Sequence, residues 1–170
     1  PGQVNVGPLV SHRDDHRIVI EGLWKHRDKE ESTFEIKIDS QNSPLDQSLH
    51  GALKPWQQRL WDDFQPTGRV HVHYDAFFEK SRKINEKLHI QINNVDVCYR
   101  PFPVPVTDIY GTIYSNGKQV RIEVDRAQAR SGELTLKGDV TQMQEAEPQI
   151  QCQLGFSNVL LDETFGPVSY

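Results

Sequence analysis

The sequence predicts a mainly β fold with one helical segment (α+β): a curved antiparallel meander sheet of about nine strands, with a helix-turn-helix covering one end. Three observations predict it. Apolar residues recur at every second position over most of the chain, the pattern of a strand with one buried face. The links between these runs are short and polar and carry Gly or Asn, which suits tight hairpins between antiparallel neighbours. A single stretch, 43–64, spaces its apolar residues helically instead.

Val4 and Val6 open the first strand, and Ile18, Ile20, Gly22 and Trp24 mark the second, less cleanly because Val19 and Leu23 intervene. Phe34, Ile36 and Ile38 mark the third. The helical stretch follows, with Ser43 or Asp46 as cap and Leu45, Leu49, Ala52 and Leu53 on one side. Pro55 belongs at the first turn of a second helix or at a kink; Trp56, Leu60, Trp61 and Phe64 then form a stripe expected to pack on the sheet. Gln65-Pro66-Thr67-Gly68 ends the helix.

Val70, Val72 and Tyr74 form the next strand, followed by Leu88, Ile90 and Ile92. The apolar positions then pass from even to odd numbers at Val95 and Val97, which a β-bulge near Asn93 or Asn94 accounts for. Pro101-Phe102-Pro103-Val104-Pro105 lacks three ladder donors and is expected to be an extended crossover or an edge. Alternation resumes at Ile109, Gly111 and Ile113, then Val120, Ile122 and Val124, then Leu134, Leu136, Gly138 and Val140, and last Ile150, Cys152, Leu154 and Phe156. Ser115-Asn116-Gly117-Lys118 and Arg130-Ser131-Gly132 supply hairpin turns.

Composition narrows the function. Lys+Arg number 19 against Asp+Glu 24, a net charge of −5, so the chain lacks the positive field that drives nucleic-acid binding, and no nucleic-acid partner is expected. Hydrophobic residues make up 36%, a lean share for a core, yet the regular apolar spacing excludes a disordered chain. No run nears the roughly 18 apolar residues of a membrane-spanning helix, and no signal-peptide pattern opens the chain; the expectation is a soluble fragment. Two cysteines, Cys98 and Cys152, are too few for a disulfide framework. Cys152 sits at an apolar position and is expected in the core, with Cys98 the more exposed.

Catalytic signatures are sparse. No phosphate loop, nucleophile elbow or His-Glu-x-x-His motif is present, so the chain is read as non-enzymatic and without a cofactor. His71 and His73 share a strand face, and His89 lies on the polar side of the next strand, which makes these three the weak candidates for a metal site and a metal-dependent enzyme. A solvated polar face is the favoured reading of them. His12-Arg13-Asp14-Asp15-His16 reads as a surface loop. A β-sandwich binding module for carbohydrate or protein is the main alternative function, with Tyr110 and Tyr114 as its platform.

The chain also resembles itself. A shift that carries Val4 onto Val120 (120 − 4 = 116) aligns 2–49 with 118–165 without a gap. Ile18 and Ile20 meet Leu134 and Leu136, Gly22 meets Gly138, Asn42 meets Asn158, and Leu45-Asp46 meets Leu161-Asp162. We read 1–170 as a single domain containing these two partial repeats, a fragment of a longer repetitive protein.

Leu134 to Val140, Asn158 to Glu163, the helix from Leu45 to Phe64 closing on Gln65-Pro66-Thr67-Gly68, and Tyr99 to Gly111 are similar to the repeats of large AsmA-like proteins, the AsmA/TamB type. The resemblance covers most of the chain through short apolar motifs. It implies a long twisted β-groove with an apolar inner face, in a membrane-anchored parent protein of the periplasm or cell envelope, with a part in phospholipid transport or outer-membrane biogenesis. The lining expected for such a groove is Ile18, Ile20, Trp24, Phe34, Ile36, Ile38, Val70, Val72, Leu88, Ile90, Val120, Ile122, Leu134 and Leu136. Expected partners are lipid acyl chains and neighbouring repeats of the parent protein, with an edge-strand dimer open to the terminal strands.

Overall fold

The computed structural model describes residues 2–26, 32–53, 55–80, 82–101, 103–129, 132–141 and 149–158, with the side chains of Trp56 and Lys83 outside that description. Its nine strands are β1 (Gly2–Arg13), β2 (His16–His26), β3 (Ser32–Pro44), β4 (Arg69–Glu79), β5 (Arg82–Cys98), β6 (Pro105–Ser115), β7 (Gln119–Ala129), β8 (Gly132–Thr141) and β9 (Gln149–Ser157). They form one open sheet in chain order, each antiparallel to the next. This is the predicted curved meander. Two short helices, α1 (Gln47–Ala52) and α2 (Pro55–Phe64), lie between β3 and β4.

Bulges shape the sheet. The register of β5 against β6 shifts between Asn93 and Val95, where the change of apolar parity placed it, and Asn94 takes the left-handed conformation (φ 62°) that an extra residue needs. Asn42 does the same (φ 60°) in the shift of β3 against β4 between Ser40 and Ser43. The Asn116-Gly117 turn is closed by the Asn116 side chain, which accepts from the Lys118 and Gln119 amides at 3.1 and 2.9 Å, with Gly117 at φ 81°. Arg130 and Ser131 of the other turn lie outside the described residues.

Four expectations need correction. β1 is far longer than the Val4–Val6 core of the pattern, because its ladder to β2 continues through a shift between Val6 and Leu9 that hides the alternation. The helical stretch begins at Gln47 and not at Ser43, which remains in β3; of the two expected caps Asp46 is the one used, its carboxylate accepting from the Ser48 and Leu49 amides. The proline-rich run joins β5 to its antiparallel neighbour β6 and is a hairpin connection, neither a crossover nor an edge, with Pro105 opposite Cys98; Phe102 lies outside the described residues. Cys98 is half-buried and Cys152 exposed, since Cys152 sits on β9, at the edge of the sheet.

The helical stripe behaves differently from expectation as well. Leu60 and Phe64 are exposed; Phe64 stacks on Tyr99 at 4.8 Å, and Trp61 meets His50 edge-on at 5.9 Å. Arg100 then fastens the end of α2, its guanidinium to the Asp63 carboxylate at 2.8 Å and its amide to the Asp63 carbonyl at 2.7 Å. A bridge between Thr67 and Asp96 ties the exit from α2 to β5. α2 therefore meets the sheet through β5 and the loop that follows it, while Leu49 of α1 borders a concavity beside Ile18 and Ser40.

The buried apolar cluster is Val70, Ile92, Val95, Ile109, Val124 and Ala127, with Leu45, Val72, Ile90 and Ile113 among the half-buried residues packed against it. No large side chain is fully buried among the described residues. Among the described residues no second sheet lies against the apolar face, in keeping with the lean hydrophobic share of the sequence.

Candidate functional site

Directly opposed residues in an antiparallel ladder share a face, so register alone places every residue of the expected lining. One cross-strand row runs Leu9, Ile20, Ile38, Tyr74, Leu88, Ser115, Val120, Val140, Ile150. The next runs Ser11, Ile18, Ser40, Val72, Ile90, Ile113, Ile122, Gly138, Cys152. Towards one end of the strands lie Val4, Trp24, Phe34 and Phe78; towards the other lie Ser43, Val70, Ile92, Gly111, Val124, Leu136 and Leu154. Ile36 stands between Gly22 and Ala76, and Leu134 between Ala127 and Phe156. All fourteen lining residues thus fall on one face, continuous across the sheet.

Burial along that face is uneven. Val70 is buried at 6% exposure, whereas Trp24 keeps 39% and Leu9 57%; the other lining residues are half-buried. The face is driest at β4 to β8, where Leu45 packs on the cluster, and most open at the edge strands, with Leu9 of β1 and Ile150, Leu154 and Phe156 of β9 exposed. It is interrupted at Glu86, opposite Ala76, which accepts the Tyr74 hydroxyl at 3.3 Å.

The opposite face is polar and laced with ion pairs. His73 lies directly opposite His89, with Asp39 on its other side; His73 reaches Asp75 at 3.1 Å and Asp39 at 3.6 Å. His71 shares this face, opposite Gln91. Register thus brings the three histidines to one side, but among the described residues no group of three His, Cys, Asp or Glu is disposed to hold a metal ion. Arg121 grips Asp139 at 2.9 Å, and its hydrogen bond holds the Asp139 carboxyl below the usual carboxylate range while the guanidinium is raised in turn. Tyr114 is exposed here, and Tyr110 is covered by the Arg126 guanidinium, 4.4 Å from its ring centre. The second sheet of a sandwich is not present among the described residues.

Sequence reasoning missed a polar cluster on the apolar face. His16 Nε2 stands 3.0 Å from the Ser40 hydroxyl and 3.3 Å from the Ser43 hydroxyl, and the two hydroxyls are 2.6 Å apart. Both serines are buried, each 8% exposed. They border a concavity of about 410 Å³ between the β1–β2 turn, the end of β3 and the start of α1, where Arg13, Asp14, Asp46 and Arg69 also stand and Ile18 and Leu49 give apolar walls. Arg69 is anchored by Asp15 at 2.8 Å and by the Asn42 carbonyl at 2.9 Å. One signal was available: His16 and Ser40 carry the same even parity as Ile18, Ile20, Ile36 and Ile38, so polar residues occupy apolar positions. Chemically, an imidazole contacting a hydroxyl is the nucleophile–base pair of a triad, but among the described residues no carboxylate orients the other His16 nitrogen as its third member.

No family model, curated protein or solved structure matches this chain. Among the described residues no helix is long and apolar enough to cross a membrane.

Proposed function

We propose that this chain is a non-enzymatic, lipid-binding structural segment of an AsmA-like cell-envelope protein, working in the periplasm under a membrane-anchored parent in phospholipid transport or outer-membrane biogenesis. The observation that carries the reading is the apolar face, unbroken across nine strands in its two central rows but for small polar residues and Tyr74. Such a face is costly to leave in water, and an acyl chain laid on it would gain about 0.8 kcal/mol for each CH₂ removed from solvent. The ladder leaves its own backbone groups paired, so the lining need only exclude water. The helical pair, fastened at Asp63 and Tyr99, would cover one end of the groove.

Repetition supports the same reading. Gly22 pairs with Ile36 and Gly138 with Cys152; Ile18 pairs with Ser40 and Leu134 with Phe156. Each pair is carried onto its counterpart by the 116-residue shift (138 − 22 = 116), and Asn42 and Asn158, equivalent under it, share the left-handed conformation at φ 60° and 57°. Leu161 and Asp162 lie outside the described residues. Neighbouring repeats would extend the groove by pairing on β1 or β9; an isolated chain would form edge-strand dimers there.

Mass spectrometry of lipid extracted from detergent-free protein tests the function, with a control protein of similar size carried through the same steps. Phospholipid enriched at a reproducible ratio, and depleted several-fold by Ile20→Asp or Ile36→Asp, is the expected result. A blank for the unaltered chain would overturn it.

A further inference from the structure

Core packing gives no reason for a histidine and two serines on the apolar face, since an aliphatic residue at Ser40 would continue the row from Ile18 to Val72 at no desolvation cost. What these side chains do offer is a convergent set of donors. Ser40 and Ser43 each carry a rotatable hydroxyl, and His16 Nε2 sits over both. Arg69 meets its anchors, Asp15 and the Asn42 carbonyl, through Nη1, and among the described residues its other N–H donors are open to an oxyanion. Arg13 adds a second cation at the rim.

The concavity is also two-sided in chemistry. Ile18 lines it and belongs to the central apolar row, so a ligand with its head among the donors has a dry path for a tail along Val72 and Ile90. Its charge is mixed, because Asp14 and Asp46 stand beside the two arginines. Asp46 is occupied in capping α1 and Asp15 in pairing with Arg69, which leaves Asp14, of the carboxylates around the concavity, to meet a cation. A bare anion would leave that carboxylate uncompensated and Ile18 unused.

We infer that this concavity is the headgroup site of a zwitterionic phospholipid: Ser40, Ser43, His16 and the arginines take the phosphate, Asp14 takes the ammonium, and the tails leave over Ile18 onto the apolar face. For its tails the inference rests on the lipid-binding function proposed above. For its head it rests on the cluster alone.

The test is native mass spectrometry of the full chain after exposure to detergent-free vesicles of equal phosphatidylethanolamine and phosphatidylglycerol with identical acyl chains. The unaltered chain is expected to retain the ethanolamine lipid about tenfold over the glycerol lipid, the scale of one or two charge-assisted hydrogen bonds. Asp14→Asn, which removes the partner of the ammonium, is expected to bring that ratio near one without lowering total lipid, whereas Arg13→Gln, which loosens the grip on a phosphate that both lipids carry, is expected to leave the ethanolamine lipid preferred. A ratio near one in the unaltered chain, or one unmoved by Asp14→Asn, overturns the headgroup site and leaves lipid binding standing. If no lipid is retained, the proposed function falls, and glycerophosphoethanolamine and inorganic phosphate are titrated against the His16 ring signals instead. A shift with glycerophosphoethanolamine that Arg13→Gln abolishes supports the site without tails; no shift, or one with inorganic phosphate alone, overturns it.

Discussion

Gly111 and Gly138 both sit mid-strand on the apolar face, and a methyl group at each meets a different fate. At Gly111 it would run into the Glu123 carbonyl oxygen and stand 2.9 Å from Val124 Cα, backbone atoms of the neighbouring strand that cannot move aside. Gly111→Ala is expected to cost about 3 kcal/mol in urea unfolding. At Gly138 the nearest atoms are Cys152 Cβ and the Gln151 carbonyl oxygen, both at 3.7 Å, an ordinary contact; Gly138→Ala is expected to stabilise by about 0.5 kcal/mol, because alanine loses less backbone freedom on folding. On the polar face, Arg121 holds the Asp139 carboxyl below its usual range. A depressed acid contributes its stability above the unfolded value, near about 4 for aspartate, and loses it as pH falls through the lower folded value. Melting temperatures of the unaltered chain and Asp139→Asn are therefore expected to converge at acid pH and separate above it, with the gap narrowing in salt because the pair is exposed. A gap that persisted in strong acid would show that the pair is not its source.

Strands take their curvature from bulges, and the bulge in β5 rests on one residue. Asn94 holds φ 62° at the register shift, a conformation that asparagine tolerates and a β-branched residue does not. Asn94→Val is expected to destabilise by about 2 kcal/mol and Asn94→Gly by less than about 0.5, read in the same denaturant series; equal losses would mean that the side chain, not the backbone, holds the bend. This bulge was legible because a shift of one residue exchanges faces and so leaves a trace in apolar parity from Ile92 to Val95. Pro55 at the start of α2 and the Asn116-Gly117 turn were legible for equally local reasons. The length of β1 was not, since its pairing skips Gly7 and Pro8 and leaves no period to read. Nor was the placing of α2, whose stripe looks like a sheet-facing one although its contacts are with Tyr99 and His50. The His16–Ser40–Ser43 cluster joins residues 24 and 27 positions apart, and only the register of β2 on β3 and the bulge at Asn42 bring them together. Local chemistry writes elements into a sequence; a site made by register is written only in the pairing.

At the scale of the molecule, every strand pairs only with its neighbours in sequence, so the sheet behaves as a nearly one-dimensional stack whose stability is a sum of adjacent interfaces. Those interfaces are unequal. The buried cluster draws on β4, β5, β6 and β7, while β1 is exposed along its whole length and β9 almost so. Native-state hydrogen exchange is expected to follow that gradient: slowest at amides of β5 and β6, faster towards β2 and β8, and fastest in β1 and β9, which open without breaking the cluster. A flat profile would mean that the sheet unfolds only as a unit. The gradient also gives the apolar face a readout that needs no captured lipid. An acyl chain lying over β1 to β3 would cover the half-buried Ile20, Ile36 and Ile38 and tie an exposed edge strand to its neighbours. Added phospholipid should therefore slow exchange in β2 and β3 several-fold while leaving β5 and β6, already protected, unchanged, and Ile36→Asp should abolish the effect. Protection gained at β1 and β9, and growing with protein concentration, would instead point to pairing between chains at the edges.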